Sequence, residues 1–491
     1  MAFTGIQEIG EKESYPVINY IKLRLTGRQH EDLYRHLFPG DGKEAVALAL
    51  CGVGEWSEEL ATHRVVCVNQ IHPIPYHACS ERTENRVKWS NENLPDLLQE
   101  ATRKKQVILK LHSHPTGLVD FSAYDDKADQ EFFTGIAGWL DTDFPGISAV
   151  MLPDGKLIAR FINGEGNFGN VVSITVAGSD VRIWHTSQHG EDEVPGFMMR
   201  TAQSFGLGTT QLLSRLSIGV VGVSGTGSPV IEMLYRLGVG ELVLVDGDVV
   251  EEKNVGRIYN STMSDAAEAR PKVHVMAAAI DQSGLTTKVV RIPKDLFHPG
   301  VVKRLAQCDV IFGCMDSVDG RNLLNRLCTF YSIPYFDLGV RLEADGLGGV
   351  SQVCSTVHYL QPDGSSLLSR GVYTQEQLRA SELRRTNPKE YQEQVRSKYI
   401  KGVEEDRPAV ISVNTVIASL AVNDFLARIH PFRDDPNDQF ASLGISLTQS
   451  RLIIDKEGTP CPVMANNVGR GDIRPLLNMP VLSERRSLNV S

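Results

Sequence analysis

Apolar and polar positions along the chain follow two different rhythms. Over residues 15–163, apolar runs at 45–50, 65–68, 107–111 and 147–152 are separated by polar or Gly/Pro-containing segments, which predicts mixed strands and helices. A second block opens near Val194. There, short apolar strands at 217–223, 241–245, 310–312 and 333–336 alternate with helical stretches at 229–237, 272–280 and 321–331. That alternation predicts βαβ units and a largely parallel, doubly wound sheet of the α/β class. Between the blocks, 164–196 carries several glycines, a hairpin around 172–184 and an acidic stretch at 190–194. Residues 375–406 are very polar and read as helical. Pro408 opens an apolar run to Ile429, a buried helix and not a membrane span, because Ser412, Asn414 and Asn423 interrupt it. The tail after Arg451 reads as a small appendage.

Composition narrows the classes. The chain has 491 residues, enough for about three units at roughly 150 residues per domain. Apolar residues at 42% and charged ones at 22% are close to a globular average, which excludes a fibrous or disordered chain. A net charge of -10 argues against a basic face for nucleic acid. No apolar window reaches a membrane span and the N-terminus lacks a signal pattern, so no membrane partner is expected. Eight scattered cysteines make no disulfide framework and point to a reducing cytoplasm.

The first chemical cluster follows the apolar run ending at Leu111. His112 and His114, two apart on a strand, project to one side as paired imidazoles suited to zinc. Ser122 and Asp125 open a helical segment. Asp125 can add a third ligand, and the Ser-x-x-Asp pattern is equally that of a helix N-cap. Glu44, just before the 45–50 run, is available as a base for water.

Together, Glu44 upstream, His112-x-His114-Pro115 and Ser122-x-x-Asp125 resemble the JAB/JAMM (MPN+) metalloprotease motif, over roughly 15–165. The resemblance implies an α+β zinc isopeptidase or peptidase that cuts at the C-terminus of ubiquitin-like proteins. It implies that His112, His114 and Asp125 hold Zn2+, that Glu44 is general base and acid, and that Ser122 steadies the oxyanion.

The second cluster is a strand beginning at Ser217 and running into a glycine-rich turn with Gly222, Gly225 and Gly227, then a helix. Such a turn lets backbone approach a phosphate at a helix N-terminus, and Asp246, at the end of the next strand, suits ribose hydroxyls. The turn alone leaves the ligand open, with a dinucleotide cofactor the first candidate. The residues that follow, Asp246-Gly-Asp248-Val-Val250-Glu251-Glu-Lys-Asn254-Val-Gly-Arg257, resemble the signature of the ThiF/MoeB and ubiquitin-activating enzyme superfamily. Pro271-Lys272, Cys314-Met-Asp316-Ser317 with Arg321, Phe205-Gly206 and the run 408–429 also fall where that family has matching elements.

This second resemblance covers about 195–435. It implies a Rossmann-like domain that uses ATP and Mg2+ to adenylate the C-terminal glycine of a ubiquitin-like protein. Asp246, Asp248, Asn254, Arg257 and Lys272 would contact the nucleotide, Arg257 and Lys272 would also serve catalysis, and Asp316 would hold Mg2+. Members commonly dimerise, with an arginine reaching the partner's ATP; Arg200 is the candidate here. The resulting division is a JAB/JAMM domain at 15–165, a linker or hairpin at 166–194, an adenylating domain at 195–450 and an appendage at 451–491. It resembles bacterial fusions that accompany ubiquitin-like and ubiquitin-conjugating-like proteins, some of them in antiphage defence.

Two departures shape the expected mechanism. Ser224 stands where many relatives carry glycine, and no cysteine lies between Cys354 and Cys461. Ser366-Leu-Leu-Ser369 and Cys461-Pro-Val-Met464 occupy places where relatives carry Cys-x-x-Cys pairs, so a structural zinc in the second block is not expected. Cys308, Cys314, Cys328 and Cys354 sit in apolar contexts and read as core. Activation then stops at the acyl-adenylate, passes to a partner thiol, feeds sulfur transfer, or once used cysteines that serines have replaced. Two rival readings remain: a non-catalytic adaptor for a ubiquitin-like partner, and an NAD-linked enzyme on the same glycine turn.

Overall fold

Alternating apolar residues build two sheets. In the computed structural model the described residues are 18–58, 61–90, 92, 94–140, 144–186, 194–344, 350–397 and 410–483. The acidic stretch at 190–193, Pro408 and the end of the polar stretch at 398–406 lie outside them.

The first block contributes ten strands: β1 (Ile18–Thr26), β2 (Val46–Ser57), β3 (Ala61–Pro73), β4 (Cys79–Thr83), β5 (Arg86–Trp89), β6 (Val107–Ser113), β7 (Gly146–Met151), β8 (Leu157–Ile162), β9 (Phe168–Ala177) and β10 (Val181–His185). Eight of them pair in the order β1-β3-β2-β6-β7-β8-β9-β10. Because β9 also pairs in parallel with β1, the order returns on itself. The expected hairpin around 172–184 is β9–β10, and it is part of this sheet. In β1 the period of two separates two jobs. Ile21, Leu23 and Leu25 enter the core with helix Gly27–Leu37, while Lys22 and Arg24 face the second block. That helix starts at a capping box, Thr26 with Gln29.

The second sheet is built from β11 (Ser217–Val221), β12 (Glu241–Val245), β13 (Lys288–Ile292), β14 (Val310–Gly313), β15 (Tyr335–Ala344), β16 (Val350–Leu360), β17 (Ser442–Ser446) and β18 (Arg451–Asp455). Its order is β13-β12-β11-β14-β15-β16-β17-β18. The first five are parallel and the last three antiparallel. The order reverses between β11 and β14, and an open α/β sheet has its ligand crevice outside the carboxyl ends of the strands at such a switch.

Both faces are covered, as the two-sided apolar character of β11 requires. Ile218 and Val220 pack with helices Gly227–Arg236, Lys272–Ser283 and Ile411–Ile429, while Val221 packs with helices Pro299–Leu305 and Val318–Phe330. That second core also takes in Val65 and Cys67 of β3, so it is shared by the two blocks. The polar stretch after residue 375 forms two helices, Gln375–Thr386 and Pro388–Arg396. Asn387 ends one and caps the other, with proline at the first helical position. Among the described residues, no helix is long and apolar enough to cross a membrane.

Candidate metal and nucleotide sites

β6 is buried along its whole length and leads into the first cluster. His112 and His114 turn their Nε2 atoms toward each other, 3.1 Å apart. Opposite them, Ser122 caps helix Ala123–Ala137. Ser122 Oγ accepts from Asp125 N at 3.2 Å, and Asp125 Oδ2 accepts from Ser122 N at 2.8 Å and from Ser122 Oγ at 2.7 Å. The cap presents Asp125 to the histidines, with Oδ1 3.1 Å from His112 Nε2 and Oδ2 3.5 Å from His114 Nε2. All three side chains are buried, and one ligand atom from each falls within 4.8 Å of the others.

The hydrogen bonds fix the chemistry of this group. Leu118 O can only accept, so His114 Nδ1, 2.9 Å away, carries the proton and leaves the Nε2 lone pair facing the cluster. His112 Nδ1 is buried without a partner. Burial would raise the Asp125 carboxyl, but the adjoining His112 and His114 imidazoles and the hydrogen bond from Ser122 outweigh it and hold the group well below the usual carboxylate range. Two imidazoles and an ionised carboxylate converging in a buried niche fit the donor set of zinc.

Glu44 is buried just ahead of β2. Its backbone is held by the β4–β5 hairpin, with Glu44 N donating to Thr83 O at 2.7 Å and Arg82 Nε donating to Glu44 O at 2.9 Å. Burial pushes its carboxyl up to about 7; His114 opposes that rise and Asp125 adds to it. A second rung lies beneath the histidines. Lys110, two residues before His112, donates to Asp129 Oδ1 at 2.6 Å, and Arg160 bonds Asp129 Oδ2 at 2.7 Å. The sequence reading missed this trio, because a charged residue inside a buried strand gives no sign of its partner.

The second cluster occupies the switch between β11 and β14. The chain leaves β11 through Gly222, where φ is +91°, and enters helix Gly227–Arg236. A Cβ on Gly222 would stand 2.5 Å from Cys314 O, and one on Gly227 would stand 1.8 Å from Gly222 O, so neither position admits a side chain. Asp246, after β12, ties itself to the turn. Its Oδ2 accepts from Val223 N at 2.7 Å and its Oδ1 from Asp248 N at 2.9 Å. Burial raises the Asp246 carboxyl, against the pull of Lys272 and these backbone donors.

Lys272, at the start of helix Lys272–Ser283, reaches Asp248 Oδ2 at 2.8 Å and Asp246 Oδ1 at 3.9 Å. Gly222, Gly225, Gly227, Asp246 and Asp248 therefore gather beyond the carboxyl ends of two adjacent strands, β11 and β12, with Lys272 reaching in from its helix. Asn254 stabilises the loop that carries Arg257: its Oδ1 accepts from Glu251 N at 3.1 Å, and its carbonyl accepts from Arg257 N at 2.9 Å. Arg257 Cδ comes within 3.7 Å of where a Gly225 Cβ would be. Asp316 is exposed just beyond the end of β14.

Arg200 is exposed on helix Met199–Leu213, where its Nη1 donates to Gln203 Oε1 at 3.2 Å. Gly206, with φ of 81°, breaks that helix in the middle. Ser366 and Ser369 cap each other's backbone, at 2.8 Å and 3.1 Å, and Cys461 N donates to Gly364 O at 2.9 Å. Cys308 and Cys314 are poor nucleophiles, since burial pushes their thiols up to about 11 and about 12.

A mostly parallel sheet of this order, with a glycine turn at its switch and an acid–lysine pair beside it, defines a Rossmann-type α/β unit. Residues 198–456 match the ThiF family model, and the chain belongs to the ThiF family. It is 33% identical over 122 residues to the zebrafish (Danio rerio) adenylyltransferase and sulfurtransferase MOCS3, covering 25% of this chain and 26% of the relative. It is 35% identical over 127 residues to the SAMP-activating enzyme E1 of Haloferax volcanii, covering 26% of this chain and 46% of the relative. The chain thus spans between about a quarter and a half of these curated relatives. Among solved structures, E. coli MccB with MccA-N7isoASN aligns with a TM-score of 0.43 at 18% identity, covering 55% of this chain and 75% of that one.

Proposed function

We propose that the second block adenylates the C-terminal carboxylate of a ubiquitin-like protein. The carrying observation is the single cradle formed by the Gly222–Gly227 turn, Asp246 and Lys272. In the reaction a carboxylate oxygen attacks the α-phosphorus of ATP, the bond to the bridging oxygen breaks, and pyrophosphate leaves as the acyl-adenylate forms. Charge builds on phosphate oxygens, and preorganised donors lower that barrier. Lys272 and Arg257 would supply positive donors, the turn and the N-terminus of helix Gly227–Arg236 backbone N–H groups, Asp246 and Asp248 would receive the ribose side, and Asp316 would hold Mg2+. Arg200 would act across a homodimer.

The high thiols of Cys308 and Cys314, and the lack of cysteine between 354 and 461, favour an acceptor outside this chain. That acceptor is a conjugating-enzyme thiol or a sulfur donor. The zebrafish relative is named an adenylyltransferase and sulfurtransferase and the Haloferax volcanii relative an activating enzyme, in keeping with either route. The test is ATP–pyrophosphate exchange with a ubiquitin-like protein ending in glycine. Exchange should depend on that terminus, and its absence for every such protein would leave an adaptor.

The first block, in this reading, hydrolyses at the same kind of terminus, freeing it from a precursor extension or a conjugate in a cytoplasmic pathway, antiphage defence among the settings. A zinc ion on His112, His114 and Asp125 would supply Lewis acidity toward water and the scissile carbonyl. Glu44, buried beside His114, is placed to take the proton of the attacking water and return it to the leaving amine as the C–N bond breaks. Ser122 Oγ already donates to Asp125 Oδ2, so it holds the ligand, and in this reading it would also steady the oxyanion. Glu44→Gln should lower cleavage of a ubiquitin-like fusion by at least about 100-fold while leaving one equivalent of zinc bound. Loss of zinc along with activity would contradict the role given to Glu44.

A further inference from the structure

Two buried donors flank Gly225 with nothing to donate to. Asn414 Nδ2 and Arg257 Nε are both shielded from solvent and lack a hydrogen-bond partner. Asn414 is 2% exposed, and its Nδ2 lies 2.4 Å from where a Gly225 Cβ would be, so the amide presses on the bare backbone of the turn. Arg257 Cδ, bonded to that Nε, lies 3.7 Å from the same point. An unmet buried donor costs about 1–3 kcal/mol. Two of them converging on one glycine are explained if a ligand oxygen belongs between them.

Asn414 sits in the first turn of helix Ile411–Ile429, where its backbone N donates to Val410 O at 3.0 Å. Val410, at the N-cap, offers no side-chain bond to the first-turn N–H groups, and both Val410 and Ile411 are exposed. This 19-residue helix therefore directs the positive end of its dipole toward the same turn as helix Gly227–Arg236. The side chain that fixes this approach is Asn414.

We propose that Asn414, Arg257 and the first turn of helix Ile411–Ile429 form a second anion pole of the nucleotide site. It takes phosphate oxygens of ATP at Gly225, beside the N-terminus of helix Gly227–Arg236. The inference rests on the nucleotide reading above and adds to it a phosphate-binding residue, Asn414, from an element nearly 190 residues further along the chain. Because both poles surround Gly225, a side chain there would block the anion, which gives that glycine a ligand-side reason beside its steric one.

The test is calorimetric titration of the full chain with ATP and, separately, with adenosine. Asn414→Asp keeps the shape but turns a donor toward phosphate into a repelling carboxylate, and should weaken ATP at least about 10-fold. Asn414→Ala removes the donor without adding charge and should weaken ATP about 3- to 10-fold, providing a reading if the aspartate variant melts early. Adenosine should bind within about 2-fold of wild type in both. Unchanged ATP affinity in both variants, or an equal loss for adenosine, overturns the assignment of Asn414. A wild-type chain that binds neither ligand overturns the nucleotide reading itself, a result the variants do not mimic.

Discussion

Gly227 leaves no room for even a methyl group, since a Cβ would overlap Gly222 O at 1.8 Å. Gly227→Ala must open the turn and move Val223 N off Asp246, so ATP affinity should fall by at least about 100-fold, measurable by titration. This requirement was legible in the sequence because a strand, a glycine-rich turn and a helix constrain backbone alone. His358 was not legible. It lies on β16 opposite Asp337, with Arg370 and Arg321 near it, and burial pulls its imidazole down to about 4. The unfolded chain binds a proton near pH 6.5 and the folded one only near 4. Stability contributed by neutral His358 is therefore full above about 6.5 and is lost as pH falls toward 4. Between pH 7 and pH 5 this single group should remove about 2 kcal/mol. Urea unfolding at the two pH values should show a drop smaller by that amount in His358→Gln; equal drops would place the acid sensitivity elsewhere.

At the level of elements, β6 and helix Ala123–Ala137 are joined by two rungs whose spacings match. Two residues along a strand advance ~6.7 Å and four along a helix ~6.0 Å. His112 and His114 can therefore meet Asp125 while Lys110 meets Asp129 one turn on. The upper rung was readable as motif spacing; the lower was invisible, because pairing Lys110 with Asp129 requires knowing that this helix lies along this strand. Asp129 is fully buried between Lys110 and Arg160. Asp129→Asn should cost about 3 kcal/mol in chemical denaturation by leaving Lys110 uncompensated, and Lys110→Met with Asp129→Leu should recover part of it. Additive losses in the double variant would mean that the two residues act separately. The parallel strands and their helices were legible for the same reason as the upper rung: local period and local turns fixed them. Joining β9–β10 to the first sheet needed pairing with β1, about 150 residues away, which no local pattern records.

Across the whole molecule, the two blocks are joined through charges that no local pattern connects. Arg24 is completely buried and donates to Ala306 O at 2.9 Å, Cys308 O at 2.7 Å and Tyr331 O at 3.2 Å. Those carbonyls follow helices Pro299–Leu305 and Val318–Phe330, so one arginine from β1 closes the C-terminal ends of two helices in the other block. Lys22 adds an ion pair to Asp309 at 2.6 Å, and Asp309 in turn accepts from Ser217 N at the start of β11. The tail, expected as an appendage, threads between the blocks. Gly52 N donates to Gly469 O and Asp472 N to Val53 O on one side, while Gly469 N donates to Thr329 O and Gly471 N to Phe330 O on the other. With Val65 and Cys67 sharing a core with Val221 and Ile311, neither sheet has a complete apolar cover of its own. The blocks should consequently melt together, as one calorimetric transition. Arg24→Met would leave three carbonyls at the joint without their donor, a loss of about 3–5 kcal/mol concentrated at the interface. Its melt should split into two transitions, the joint failing before either sheet. A wild-type melt that is already split would show that the proposed metal and nucleotide sites sit on independently folding bodies, and that the buried arginine does not couple them.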